Sequence, residues 1–162
     1  SSTFFNVNLD QTRRNGAVME LDWRPEPAWR LGGAYTYTDS EVTAGPFRGN
    51  DLPLVPMHNG RLFVDYGHGH GWGVNGEVLL VGQRVLGGDF DNQFEKLAAY
   101  AVLNLTARSH WGHWQFTFNV NNLLNEKYSE TGAVGFDQAF TRRDAYFPSP
   151  ERNFRLNVSY QL

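Results

Sequence analysis

Most of the chain alternates between apolar and polar residues with a period of two, and this pattern constrains the fold more than any other feature. The segment RNFRLNVSYQL at positions 152–162 shows it most clearly. Successive side chains of a β-strand point to opposite faces, so the pattern predicts two-faced strands. In this segment one face carries Phe154, Leu156, Val158, Tyr160 and Leu162, and the other carries Asn153, Arg155, Asn157, Ser159 and Gln161.

The same alternation predicts seven strands, separated by turn-forming segments that contain Gly and Pro. We predict residues 3–24 as one long strand, because its apolar positions keep the same parity throughout. The alternative is a hairpin that turns near Arg14, Asn15 and Gly16, which would raise the number of strands to eight. The predicted strands are 3–24, 28–40, 57–66, 72–84, 97–108, 114–122 and 152–162.

The connections alternate between short and long along the chain, as they do in transmembrane β-barrels. RPEP (24–27), GHGHG (67–71) and SHWGH (109–113) are short, whereas 41–56, 85–96 and 123–151 are long. We therefore predict an all-β, antiparallel, up-and-down transmembrane barrel. The alternative is a soluble β-sandwich whose aromatic residues form the core. All the tryptophans flank the short connections. Aromatic rings with a polar group favour the membrane–water interface, so we predict an aromatic girdle at this end of the barrel. Its residues are Trp23, Trp29, Tyr66, Trp72, Trp111 and Trp114.

Composition excludes several other kinds of protein. A formal net charge of -3 gives no basis for nucleic-acid binding, and the absence of Cys excludes disulfides and thiolate sites. No apolar run is long enough for a transmembrane helix. The mean hydropathy of -0.48 still fits a barrel, because polar and lipid-facing residues alternate. The sequence has no nucleophile elbow, phosphate-binding glycine loop or zinc-protease motif, so we predict that the protein is not an enzyme.

Four segments, in chain order, resemble motifs of the TonB-dependent outer-membrane receptors. NLDQTRRNGAVMELDWRPEPAWRLGGAYTYTDSEV (8–42) resembles the family's long strand, Pro turn and Tyr-Thr-Tyr strand, and LPLVPMHNGRLFVDY (52–66) resembles its Pro-x-His/Asn strand entry. FTFNVNNLLNEKYSE (116–130) is similar to the penultimate-strand motif, and YFPSPERNFRLNVSYQL (146–162) to the Pro-x-x-Arg segment and final strand. One departure is the stretch AVME (17–20), where the family usually has Gly-Val/Leu-Glu closer together.

The resemblance implies that residues 1–162 are the last part of a barrel of about 22 strands, with the plug domain and TonB box absent from this chain. It implies a siderophore-type receptor of the bacterial cell outer membrane, which imports a scarce ligand, most often a ferric siderophore. The expected partners are outer-membrane lipid, the barrel-assembly machinery, and TonB with its inner-membrane energising complex, reached through the missing N-terminal region. No cofactor is expected apart from the transported ferric siderophore.

The family's ligand contacts are expected on the long loops, which would face the outside of the cell. Arginine suits an anionic ferric chelate, and aromatic rings offer stacking surface. The alternative is that these are ordinary solvated loop residues. The final strand is expected to act as an assembly signal through Phe154, Leu156, Val158, Tyr160 and Leu162. The candidate ligand contacts are Arg48, Asp89, Asp91, Phe136, Phe140, Arg142, Arg143 and Tyr146.

Two other functional interpretations come from the sequence. A small structural or adhesin-like outer-membrane barrel that transports nothing would need eight strands that close on themselves. A metal site would have to use His68 and His70, or His110 and His113, each pair in one short connection. Two histidines without a partnered carboxylate are a weak ligand set, so we interpret them as polar turn residues.

Overall fold

A computed structural model describes residues 11–67 and 71–161 of the chain. Every regular element in these residues is a β-strand. None of the described residues forms a helix with the length and apolar character needed to cross a membrane. The strands are β1 (Thr12–Trp23), β2 (Trp29–Val42), β3 (His58–Tyr66), β4 (Trp72–Val81), β5 (Tyr100–Trp111), β6 (Trp114–Asn121), β7 (Ser129–Phe136), β8 (Arg142–Pro148) and β9 (Asn153–Tyr160).

The main sheet has seven antiparallel strands in the order β1-β2-β3-β4-β5-β6-β9, which confirms the predicted fold class. Its register along β1 and β2 is unbroken, from Thr12 opposite Val42 to Trp23 opposite Leu31. The alternative hairpin near Arg14 is therefore wrong, because that residue lies within one continuous strand. Residues 3–10 of the predicted first strand lie outside the described residues.

Three connections differ clearly from the prediction. The loop predicted at 85–96 is longer and runs from 82 to 99, because β4 ends at Val81 and β5 begins at Tyr100. The predicted loop 123–151 contains β7 and β8, which pair as a separate two-stranded sheet that we call the hairpin. Its β7 strand carries a bulge between Ser129 and Thr131, and this irregularity hides the alternation in the sequence. The predicted turn 109–113 is also too long, since Trp111 already pairs with Trp114 across Gly112, whose φ of 58° favours glycine.

One face of the main sheet, the apolar face, exposes large hydrophobic side chains along its whole width. Leu21 on β1 is 64% exposed, Leu62 on β3 is 58% exposed and Leu156 on β9 is 63% exposed. In water, surface of this kind and extent would be a strong liability to association. The same surface is what a strand needs where it meets hydrocarbon.

The opposite, polar face carries ion pairs between neighbouring strands. Arg30 on β2 contacts Asp22 on β1 at 2.5 Å, and Arg61 on β3 contacts Glu77 on β4 at 2.5 Å. Both guanidinium groups also lie over the ring of Phe63, with their central carbons 5.2 and 5.3 Å from its centre. Charged side chains of this face are therefore paired across neighbouring strands, an arrangement that suits a wet barrel interior.

Candidate functional site

The short connections place an aromatic rim at one end of the sheet. Trp29 and Tyr66 are opposite one another in the register, with ring centroids 4.5 Å apart, and Tyr66 lies 5.5 Å from Trp72. Trp111 and Trp114 are also directly opposite. Trp23 is 57% exposed and Trp111 78% exposed. The structure thus brings the predicted girdle residues together at one end, and their contact with a membrane interface stays a prediction.

At the other end, the long connections pack into a unit that we call the loop cluster, made of loop 43–57, loop 82–99 and the hairpin. It has its own apolar core, in which Leu86 is 0% and Leu97 1% exposed. Leu52 and Val85 are also buried there. Loops are normally the least buried part of a fold. A buried apolar core among these loops therefore indicates that they pack into a defined tertiary structure and are not separately solvated.

The hairpin is docked edge-on against loop 82–99 by backbone hydrogen bonds. The Gly87 amide donates to the Gly132 carbonyl at 2.9 Å, and the Val134 amide donates to the Gly87 carbonyl at 2.8 Å. Gly132 is required for this close approach, because a Cβ there would lie 2.7 Å from both the Leu86 side chain and the Ala145 carbonyl oxygen. The hairpin therefore acts as an added strand beside the loop.

A buried arginine holds the base of the hairpin. Arg84 is 5% exposed, and its guanidinium donates to the carbonyl of Ser129 at 3.0 Å and to that of Glu130. The same group lies 5.4 Å from the centre of the Tyr100 ring. Buried charge is tolerated only when its donors are satisfied, so these carbonyls and the aromatic face give Arg84 a positioning role.

The predicted ligand contact Asp89 is fully buried. Its carboxylate accepts hydrogen bonds from the amides of Gln93 at 3.0 Å and Phe94 at 3.1 Å. These bonds hold residues 89–94 in a closed turn within loop 82–99. In this arrangement the carboxylate stabilises the loop, and its contact with a ligand stays a prediction.

Asp91 and Arg142, both predicted ligand contacts, instead pair with each other. The guanidinium makes two hydrogen bonds to the carboxylate, at 2.5 and 2.7 Å, and lies 3.5 Å from Asp89. The hydrogen bonds from Arg142 lower the pKa of Asp91 to about 2. This bidentate pair fastens the hairpin to loop 82–99, and we call it the clamp.

Loop 43–57 is joined to the same unit through Asn92. Its side-chain oxygen accepts from the Asp51 amide at 2.9 Å, and its side-chain nitrogen donates to the Asp51 carbonyl at 3.2 Å. Lys96 adds an ion pair to the Asp51 carboxylate at 2.7 Å. All three segments of the loop cluster are thereby connected.

The tip of the hairpin presents the exposed part of the predicted set. Phe136 is 69% exposed and Phe140 79% exposed. Arg143 is exposed beside them and contacts Asp137 at 3.1 Å. Hydrogen bonds from the Thr141 amide and from Arg143 lower the pKa of Asp137. The tip therefore combines aromatic surface with an exposed ion pair between Arg143 and Asp137.

The remaining predicted residues are distributed over both ends of the chain. Arg48 is exposed on loop 43–57, and the Tyr146 hydroxyl donates to the Glu95 carbonyl at 3.1 Å. Burial raises the pKa of Tyr146. On β9, the tail residues Phe154, Leu156, Val158 and Tyr160 share the apolar face, Leu162 lies outside the described residues, and the assembly role of all five stays a prediction.

Metal binding finds no support in the described ranges 11–67 and 71–161, which contain no group of three or more His, Cys, Asp or Glu arranged to hold an ion. His110 and His113 lie at the short-connection end, and His68 and His70 fall outside the described residues.

Two residues that position the loop cluster, Arg84 and Asn92, were not predicted. Asn122 was quoted only as part of the motif at 116–130; it is buried, and its side-chain oxygen accepts from the Glu126 amide at 2.8 Å. The two asparagines carried a signal, since Asn tolerates the positive φ that Asn92 (51°) and Asn122 (53°) adopt.

Comparison with known proteins places this geometry in a family. The model of that family, described as TonB dependent receptor-like, beta-barrel, matches residues 1–123. The chain is 35% identical over 137 residues to the metal-pseudopaline receptor CntO of Pseudomonas aeruginosa, a match that covers 80% of this chain and 19% of that protein. It is 31% identical over 135 residues to the ferrichrome outer membrane transporter/phage receptor of Escherichia coli K12, covering 78% and 18%.

Solved structures show the same fold. The ferric yersiniabactin uptake receptor FyuA of Yersinia pestis superimposes with a TM-score of 0.77 at 22% identity, over 91% of this chain and 23% of that one. The copper transporter OprC gives a TM-score of 0.75 at 18% identity, over 93% and 24%. This chain spans about a fifth (19% and 18%) of the curated relatives described above. These relatives are transport receptors rather than enzymes. The chain belongs to the TonB-dependent receptor β-barrel family and is part of a bacterial outer-membrane barrel.

Proposed function

We propose that the protein to which this chain contributes imports a scarce metal chelate, and that the chelate is a ferric siderophore. The relatives support this class of ligand, since the names of two of them specify metal-pseudopaline and ferrichrome. Import in this proposal is driven by TonB and the inner-membrane energising complex, which act on parts of the receptor that lie outside this chain. No covalent step is involved.

The observation that carries the proposal is the exposed tip of the hairpin. A ferric chelate is commonly anionic. Phe136 and Phe140 offer it stacking surface, and Arg143 offers a guanidinium group that is 69% exposed and pairs with Asp137 of the same hairpin. The tip is held by the clamp and by the backbone bonds to Gly87, so its side chains are presented on a fixed support. A fixed support lowers the ordering cost of ligand capture.

The other partners follow from the two faces and two edges of the sheet. The apolar face would meet outer-membrane lipid. The outermost strands of the described sheet, β1 and β9, need partners in a bilayer, because hydrocarbon cannot satisfy free backbone groups. Strands from the rest of the barrel would supply those partners, and β9 with its tail residues would be read by the barrel-assembly machinery.

The test is uptake by cells that lack other siderophore receptors and express the full-length receptor. The probes are radioiron-loaded hydroxamate, catecholate and carboxylate siderophores and radiolabelled metal-pseudopaline. We expect uptake of at least one probe with TonB and none without it. The double variant Phe136→Ala/Phe140→Ala should raise the half-saturating concentration about tenfold, since aromatic contacts contribute about 0.5–1.5 kcal/mol each.

Leu21→Ala is the matched control, because Leu21 is also a large exposed apolar residue, at 64%, but lies on β1. It should leave uptake unchanged. Heat-modifiable migration on a gel verifies that each receptor is folded. A folded receptor that imports none of the probes in the presence of TonB would overturn the proposal and favour the non-transporting barrel.

A further inference from the structure

A polar cavity of about 140 Å³ lies inside the loop cluster, against the end of β2 that leads into loop 43–57. It is smaller than the roughly 300–1,000 Å³ pockets that hold larger organic ligands. β2, loop 43–57 and loop 82–99 all contribute to its wall, so the cavity is formed by segments that meet only in the folded protein. Its polar and charged lining residues include Thr38, Ser40, Asp51, Arg84 and Lys96.

Arg84, which lines this cavity, is a buried cation whose described hydrogen-bond partners are all neutral. It is 5% exposed, and its Nη groups donate to the carbonyls of Gly82 at 3.5 Å, Ser129 at 3.0 Å and Glu130. Those carbonyls accept hydrogen bonds but carry no net charge. In the ranges 11–67 and 71–161 no carboxylate forms an ion pair with Arg84, and its Nε donates to no described group. Arginine is almost never fully buried unless it is paired, so a counter-ion is expected in the cavity.

The carboxylates of neighbouring residues have other partners. Asp51 lines the cavity and pairs with Lys96 at 2.7 Å. The Glu130 carboxylate is exposed and accepts a hydrogen bond from the Tyr128 hydroxyl at 3.4 Å. Of the Asp, Glu, Lys and Arg side chains that line the cavity in the described residues, two are positive, Arg84 and Lys96, and one is negative, Asp51. The cavity wall therefore carries one positive charge in excess.

Ser40 adds a buried hydroxyl to the same cavity. It is 7% exposed, and it has the same strand parity as Arg30, so its side chain lies on the polar face of β2 beneath the loops. Its hydroxyl makes no hydrogen bond with any group in the described part of the chain. Buried hydroxyls in proteins usually have a partner, which here would have to lie in the cavity. Ser40 and Arg84 are thus two donors that the described chain leaves for a ligand.

We propose that this cavity binds one small oxyanion, inorganic phosphate or a free carboxylate, which accepts hydrogen bonds from Arg84 and Ser40. The planar guanidinium fork matches two oxygens of such an ion, whereas a halide offers a single acceptor centre. The volume of about 140 Å³ is too small for a ferric siderophore, so the site is separate from that of the transported ligand. Since Arg84 also donates to the hairpin at Ser129, a bound anion would strengthen the docking of the hairpin on loop 82–99.

The experiment uses the purified full-length receptor at constant ionic strength, with inorganic phosphate, acetate or chloride as the anion. Equilibrium dialysis with radiolabelled phosphate gives the number of bound ions, and hydrogen exchange of residues 129–148 reports the docking of the hairpin. We expect hairpin exchange in the wild type to slow about tenfold when the phosphate concentration is about ten times its Kd, the factor that mass action gives for an ion that binds only the docked state. Acetate should act in the same direction, and chloride should have no effect.

Ser40→Asp tests the site, because it places a carboxylate inside the cavity. This variant should bind one phosphate fewer per receptor, and its hairpin should exchange slowly with or without phosphate. Ser40→Ala, a smaller change, should weaken phosphate binding about tenfold through the loss of one hydrogen bond to a charged group. Thr36→Asp is the matched control: it adds the same charge on the same strand and polar face, outside the cavity, and should keep the wild-type response.

Hairpin exchange that is equally fast in phosphate, acetate and chloride would overturn the proposal, and so would equal phosphate binding by the wild type and the two Ser40 variants. The first result would mean that no added oxyanion fills the cavity, and the second that phosphate binds elsewhere on the receptor. Protection of the wild-type hairpin by either oxyanion, lost in Ser40→Ala, supports the site. Receptors are compared only where heat-modifiable migration shows a folded barrel, so a loss of binding cannot be mistaken for a loss of fold.

Discussion

Arg142→Gln should release the hairpin from the loop cluster without unfolding the main sheet. Arg142 provides the two hydrogen bonds of the clamp to Asp91 and also lies 3.5 Å from the buried Asp89. The hairpin keeps its backbone bonds to Gly87 and its contacts with Arg84. The change therefore removes one of several attachments, and its size can be worked from the two carboxylates that lose their partner.

Each carboxylate contributes a different amount. The Asp91 side chain is 34% exposed, so the loss of its pair costs about 0.2–1 kcal/mol, the range of exposed ion pairs. Asp89 is fully buried, but it keeps its two amide donors, so its cost stays below the roughly 3–5 kcal/mol of a fully stripped buried pair. Together these terms predict that docking of the hairpin weakens by about 1–3 kcal/mol.

The assay is hydrogen exchange of the full-length receptor, read by mass spectrometry on peptides that cover residues 129–148. A loss of about 1–3 kcal/mol corresponds to exchange roughly 5–150 times faster in the hairpin, with no change in β1 to β6. Arg143→Gln is the matched control, because Arg143 pairs only with Asp137 of the same hairpin, at 3.1 Å, and its side chain is 69% exposed. If the two variants exchange at the same rate, the clamp does not hold the hairpin and the reasoning is refuted.

Three further predictions use the same loop cluster. Gly132→Val should weaken docking of the hairpin by about 1–3 kcal/mol, because a Cβ there would lie 2.7 Å from the Leu86 side chain. Hydrogen exchange of the hairpin measures this effect, and an unchanged exchange rate would contradict it. The pKa of Asp91 is lowered in the folded state, so the clamp's stabilisation is present above pH about 4 and is lost as the pH falls through about 2. Hydrogen exchange of the hairpin, compared between the wild type and Arg142→Gln over this pH range, measures the effect. The difference in exchange rate between the two proteins should vanish only at the acid end. Asn122→Ala should cost about 1–3 kcal/mol, because the buried amide exchanges two 2.8 Å hydrogen bonds with Glu126, and a denaturation midpoint equal to that of the wild type would oppose this role.

The sequence predicted the main sheet well because each of its strands has one face in contact with an apolar medium. Burial against lipid on one side enforces a period of two, and that period can be read directly, as in the tail and in β1. Strand ends were less accurate. β5 ends at Trp111 rather than 108, since a turn at Gly112 needs fewer residues than the aromatic and histidine-rich segment suggested.

The hairpin was missed for the opposite physical reason. It packs edge-on against a loop, and neither of its faces is covered by a continuous apolar environment. Its strands therefore need no strict alternation of apolar and polar residues. SETGAVGF in β7 mixes glycines with apolar and polar residues and contains a bulge. Its position depends on Arg84 and on Arg142, whose partners are separated from them by 45 and 51 residues respectively. Local pattern cannot show which of several charged loop residues will meet.

The same limit explains the candidate ligand contacts. Arg142 was selected because a guanidinium suits an anionic ligand, and Asp89 and Asp91 were selected because they lie on a long loop. The structure pairs these three with one another. Arg143 was selected for its charge and Phe136 and Phe140 as stacking surface, and all three are exposed at the tip. What separates the two groups is burial within the loop cluster, a property of tertiary packing that residue type does not encode.

The distribution of burial also decides between a membrane barrel and a soluble sandwich. A sandwich would cover the apolar face with a second sheet and seal Trp23, Phe116 and Leu156 between the layers. In the described residues the second sheet is the hairpin, which belongs to the loop cluster, while Trp23 is 57% and Leu156 63% exposed and Phe116 is half-buried. In residues 11–67 and 71–161, the loop cluster thus has a buried apolar core, while the sheet exposes a wide apolar face. A chain with that inverted distribution is stable only where hydrocarbon replaces water along the sheet, which is the environment that its family provides.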